Sequence, residues 1–148
     1  MYPRQYQYSA TSRARLVGVH PVLVRVANMV IAHTDCAVVY GVRQPVEQKR
    51  LFDAGLSKTL DSKHLMQPDG WCHALDLAPV VNGLIPWEKK HYFYHFAGVI
   101  LTVADIQGVE VRWGGDWDSD RDLDDQTFMD LVHFELVLSA QKITQVKA

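Results

Sequence analysis

The chain has 148 residues, with 15 lysines and arginines against 17 aspartates and glutamates, a formal net charge of −2. Hydrophobic residues make up 48% of it, enough to bury a core in one domain. The near-neutral balance lacks the basic excess of a nucleic-acid binder. The only cysteines, Cys36 and Cys72, form no Cys-x-x-Cys pair. They read as two reduced, packed thiols rather than a thiolate metal knuckle.

Met1 to Tyr8 is polar and aromatic and lacks the apolar stretch of a secretory signal. The most apolar run, Phe93 to Ala104, is too short to span a bilayer and contains His95. The expectation is a chain made in the cytoplasm, without membrane insertion, that depends on something else to carry it across a membrane.

Residues 1–12 read as a loosely held arm. Pro21 opens a helix whose apolar face is Leu23, Val26, Ala27, Val30 and Ile31. Cys36 to Tyr40 is a short β-prone run ended by Gly41. Pro45 and Glu47 start a second helix, with Gly55 as its stop. Ala74 to Val81 reads as a strand. Pro86 opens a long aromatic and aliphatic helix through Phe93, Phe96, Ile100 and Val103, followed by Gly108. Val109 to Trp113 alternates as a strand until Gly114-Gly115 breaks it, and His133 to Leu138 is the last strand. Helices mixed with short strands make the fold α+β: a small antiparallel sheet with helices packed on it, in a single domain over 1–148. No repeat, linker or separate wall-binding unit is visible.

Three residues stand out chemically. His64 follows Asp61 and Ser62, which can fix a turn. Asp76 sits in the otherwise apolar run Ala74-Leu75-Asp76-Leu77-Ala78, where an unpaired carboxylate is costly; an edge strand facing water is the bland alternative. His133 lies in Leu131-Val132-His133-Phe134, and in a strand it shares a face with Glu135, a candidate supporting acceptor. Two imidazoles and a carboxylate from separate segments can hold zinc and leave a fourth position for water. Asp130, three residues before His133, could accept that water's proton. Arg43, just before a helix, could stabilise an oxyanion or hold a substrate carboxylate, although a surface cation is the simpler reading. His20, His33, His91 and His95 read as packed or surface residues. The acidic run 116–125 reads as a solvated loop, with a hard cation such as calcium as the sharper alternative.

These residues resemble a known family. Ser62-Lys63-His64, His73-Ala74-Leu75-Asp76, Trp113-Gly114-Gly115-Asp116-Trp117 and Asp130-Leu131-Val132-His133 stand in the order of the zinc D-alanyl-D-alanine carboxypeptidase and VanY-type peptidases. The likeness is greatest to phage L-alanyl-D-glutamate endopeptidase endolysins. Gly41-Val42-Arg43 with Gln48 adds a further segment. The resemblance covers about Leu16 to Leu138. It implies Zn2+ on His64, Asp76 and His133, with Asp130 as general base and Arg43 on the substrate carbonyl or carboxylate. Ser62, Trp113, Asp116 and Glu135 would support the site. One departure is a longer interval between His64 and Asp76, with Met66 to Trp71 as extra residues and Cys72 where the family has glycine. This makes His73 a rival ligand, but an offset of three points it away from Asp76 in a strand.

The resemblance implies hydrolysis of the L-alanyl-D-glutamate bond of peptidoglycan stem peptides, in a monomer that waits in the host cytoplasm and reaches the wall through a separate holin-like pore. The alternatives are a D-alanyl-D-alanine dipeptidase or carboxypeptidase, and a non-catalytic wall-binding module.

Overall fold

The computed structural model describes residues 5–138. Its elements are α1 (Ala10–Arg15), α2 (Pro21–His33), β1 (Cys36–Tyr40), α3 (Pro45–Asp53), β2 (Ala74–Pro79), α4 (Lys90–Ile106), β3 (Val111–Trp113) and β4 (His133–Leu136). The strands form one antiparallel sheet in the order β1-β2-β4-β3. The α+β expectation therefore holds, including the small antiparallel sheet. No helix among the described residues is long and apolar enough to cross a membrane.

Alternation in β2 and β4 sorts the two faces of the sheet. Leu75, Leu77, Phe134 and Leu136 join a buried cluster with Val26 and Val30 of α2 and Phe96 and Ile100 of α4. Each such side chain contributes about 1.5–3 kcal/mol when fully buried. The other register of the same strands carries Asp76, His133 and Glu135, all buried. Asp76 is not on an edge, since β2 lies between β1 and β4.

Several boundaries differ from the sequence expectation. The arm is not loose beyond residue 7, because Tyr8 is buried and its hydroxyl donates to Ala27 O at 2.7 Å. Ser9 caps α1, and Ser12 Oγ accepts the Val38 N–H at 3.0 Å. Residues 1–4 lie outside the described residues. Strand β2 stops at Pro79, after which Val81 and Leu84 close a tight turn over Asn82-Gly83, both at positive φ. Helix α4 begins at Lys90 rather than Pro86, because Pro86 to Lys89 forms a turn of its own. Strand β3 is shortened because Val109 N–H still bonds Ala104 O at the end of α4.

Candidate active site

Strand register brings the central groups together. Tyr40 on β1 pairs with Asp76 on β2, and Asp76 pairs with His133 on β4. The third group, His64, comes from the loop after α3. Ser62 Oγ accepts the His64 N–H at 3.2 Å, as a turn-fixing serine should. The loop is tied to its surroundings on both sides: Arg43 N–H donates to His64 O at 2.8 Å, and His73 N–H to Lys63 O at 2.9 Å.

His64 Nε2 lies 3.1 Å from Asp76 Oδ1 and 3.1 Å from His133 Nδ1, and His133 Nδ1 lies 3.3 Å from Asp76 Oδ1. All three residues are buried. Donors held tetrahedrally at about 2.0–2.1 Å from a zinc ion stand about 3.3 Å apart, so the triangle has the size a metal ion needs. The outer nitrogens are also arranged for this. His64 Nδ1 lies 2.7 Å from Gly41 O, which fixes its proton there and frees Nε2. His133 Nε2 lies 3.4 Å from Glu135 Oε1, which leaves Nδ1 facing inward. Glu135 is itself 3.3 Å from Arg112 Nη2.

The electrostatics match this convergence. Burial opposes charge on His64 and His133, but the Asp76 carboxylate outweighs it and carries both imidazoles up to about 9. Burial likewise opposes charge on Asp76, yet the two imidazoles hold it well below the ordinary carboxylate range. Three groups that want one shared positive charge are what a cation would satisfy.

Asp130, His64, His133, Arg43, Arg112 and Trp117 line one cleft of about 490 Å³. Burial raises the Asp130 carboxyl above its ordinary value, and the neighbouring charge on Asp76 raises it further. Its backbone is gripped by the segment after β3. Asp130 N–H donates to Gly114 O at 2.7 Å, and Gly114 N–H donates to His133 O at 2.8 Å. A Cβ on Gly114 would collide with the Asp130 carbonyl. Trp113 Nε1 donates to Leu131 O at 2.9 Å from behind. Trp113 and Asp116 therefore stand behind the cleft rather than in it. Asp116 accepts the Arg121 N–H at 3.0 Å and anchors the acidic loop, most of which is exposed.

Arg43 is braced at the wall of the cleft. Its Nη1 donates to the buried Gln48 Oε1 at 2.8 Å, its guanidinium lies 4.7 Å from the Tyr40 ring centroid, and its Nε is buried with no partner. Gln48 is in turn fixed by Ser57 and Thr59. Tyr40, Gly41, Arg112 and Trp117 support this arrangement, and their roles were not read from the sequence. The Trp117 ring lies 5.5 Å from His133.

His73 is not in the site. Its Nε2 lies 2.7 Å from Asp69 Oδ2, and its ring stands edge-on to His20 at 5.4 Å. The extra segment Met66 to Trp71 forms a turn that supplies Asp69 and carries His73 away from Asp76. A second His-Asp-His group results, at His20, Asp69 and His73. There, however, His20 Nδ1 accepts the Val22 N–H at 3.2 Å as the cap of α2. Its proton then lies on Nε2, the nitrogen nearest Asp69, which makes it a donor and not a ligand. Cys36 and Cys72 are both free and buried.

Residues 4–137 match the phage L-alanyl-D-glutamate peptidase family. The chain belongs to that family. It is similar to the L-alanyl-D-glutamate peptidase of Escherichia phage T5, at 27% identity over 82% of this chain and 88% of that one. Its fold is similar to the L-Ala D-Glu endopeptidase ChiX of Serratia marcescens, with a TM-score of 0.73, 30% identity, and coverage of 90% of this chain and 92% of that one.

Proposed function

We propose that this family member is a zinc-dependent endolysin that hydrolyses the L-alanyl-D-glutamate bond of peptidoglycan stem peptides and so lyses bacterial cells. The observation that carries the reading is the triangle of His64 Nε2, Asp76 Oδ1 and His133 Nδ1, whose two imidazoles line a cleft that also holds the Asp130 carboxyl, of raised pKa. The family match and the two peptidase relatives support the substrate.

His64, Asp76 and His133 would hold the ion. A zinc ion there would supply Lewis acidity and would lower the pKa of the attacking water. Asp130 takes the proton from the attacking water and returns it to the leaving amine; its raised pKa makes it the better acceptor. Arg43, braced by Gln48 and Tyr40, presents a fixed positive charge to the carbonyl oxygen as it becomes anionic. Glu135 and Gly41 orient the two imidazoles, and the Gly114 clamp sets Asp130 against His133.

The test is digestion of purified peptidoglycan with mass spectrometry of the fragments, with and without a chelator. The expected result is cleavage between L-alanine and D-glutamate, abolished by chelator and restored by zinc. Release of D-alanine alone would place the protein with the carboxypeptidases, and chelator-resistant cleavage would remove the metal from the account.

A further inference from the structure

A second cavity of about 510 Å³ lies beside the cleft and shares Lys63 with it. One of its walls is the indole of Trp71, which is 39% exposed. Pro68 adds apolar surface. The buried imidazoles of His20 and His73 and the carboxylate of Asp69 supply polar groups. A large apolar ring beside a few converging donors and acceptors is the usual make-up of a small-ligand site.

The backbone that carries the indole is held in place before any ligand arrives. Asp69 Oδ1 accepts the Trp71 N–H at 3.0 Å, while its Oδ2 lies 2.7 Å from His73 Nε2 and 3.9 Å from His20 Nε2. Trp71 O accepts the Gln67 N–H at 2.9 Å, and Gly70 turns the chain at φ +85°. Trp71 stands edge-on to His20 at 6.4 Å. Fixing the turn in advance lowers the ordering cost of binding.

The chemistry selects the ligand. The protonated His20 Nε2 argues against a metal. With Asp69 and Lys63 both in its lining, the cavity offers no single sign of charge to a simple anion or cation. A flat aromatic face edged by imidazole and carboxylate suits a pyranose, whose C–H face packs on the indole while its hydroxyls meet the polar groups. We propose that this cavity is a subsite for a sugar ring of the wall's glycan strand. The proposal rests on the reading under Proposed function. The stem peptide is joined to the glycan through its L-alanine, so the bond to be cut lies one residue from a sugar, and the cavity adjoins the cleft.

The experiment compares the zinc-loaded protein on two substrates: a stem peptide carrying its muramyl sugar, and the same peptide without it. The wild-type protein should cleave the sugar-linked peptide with the lower KM. Trp71→Ala should lower kcat/KM on that substrate about tenfold, the loss of roughly 1.4 kcal/mol of contact, mainly through KM. It should leave the sugar-free peptide unchanged, and Trp71→Phe should recover most of the loss. Equal KM for the two substrates in the wild-type protein would overturn the subsite, even if Trp71→Ala failed to fold. Equal loss on both substrates, or no loss on either, would also overturn it. Cleavage of neither by the wild-type protein would instead overturn the peptidase reading beneath it.

Discussion

Two His-Asp-His groups lie in this molecule, and they differ in where the protons sit. At His64, Asp76 and His133 each imidazole gives its outer nitrogen to an acceptor, Gly41 O or Glu135, and keeps its inner nitrogen for the shared centre. At His20, Asp69 and His73 the outer nitrogen of His20 accepts a backbone N–H, so the proton faces inward. Under the proposed function the first group converges as ligands, whereas in the second His20 and His73 face one carboxylate, Asp69. Composition and proximity are shared, so second-neighbour hydrogen bonds decide which group can hold a metal.

The largest predicted effect breaks the first group. His64→Ala should abolish both bound zinc and peptidase activity, a greater loss than the roughly 10–100-fold typical of a missing supporting partner. His73→Ala should keep one zinc per chain. Elemental analysis of the two purified variants checks the contrast. Next, Asp130→Asn should retain zinc and fold but lose about 10²–10⁴-fold in kcat, the range for a general base, as read by peptide turnover. Glu135→Gln leaves His133 with a weaker partner and should cost about 10–100-fold in zinc affinity, measured by competition with a chelating dye.

The smallest effect belongs to the second group and is one of pH. Burial, and then the neighbouring His73, lowers the His20 pKa below its ordinary value. The folded state therefore binds fewer protons than the unfolded chain once pH drops below about 6.5, so stability present above that pH is lost on acidification. His20→Asn can still cap α2 and should flatten this decline in a plot of Tm against pH, whereas an unchanged slope would assign the decline to other groups.

Much of the site was legible because β-strands carry a period of two. Asp76 in an apolar run, and His133 with Glu135 two residues on, put charge on one face of strands whose other face is core. That pattern survives without knowing which strand pairs with which. The pairing of Asp76 with His133, and the place of Tyr40 beside them, depended on sheet order and so were not legible. The burial of Tyr8 was missed for a related reason: its partner Ala27 is 19 residues away, and nothing local marks it. His20 looked ordinary and His73 was weighed only as a rival to Asp76, because Asp69, which joins the two histidines, lies in a turn whose shape the sequence does not state. The Gly114-Gly115 break was legible, but not its use: Gly114 holds both Asp130 and His133, and only glycine leaves room for the Asp130 carbonyl.

The most direct test is anomalous diffraction at the zinc edge from crystals of the zinc-loaded protein. The account predicts one peak per chain, bounded by His64 Nε2, Asp76 Oδ1 and His133 Nδ1. A peak at His20, Asp69 and His73 instead, or none at the first group, would contradict it.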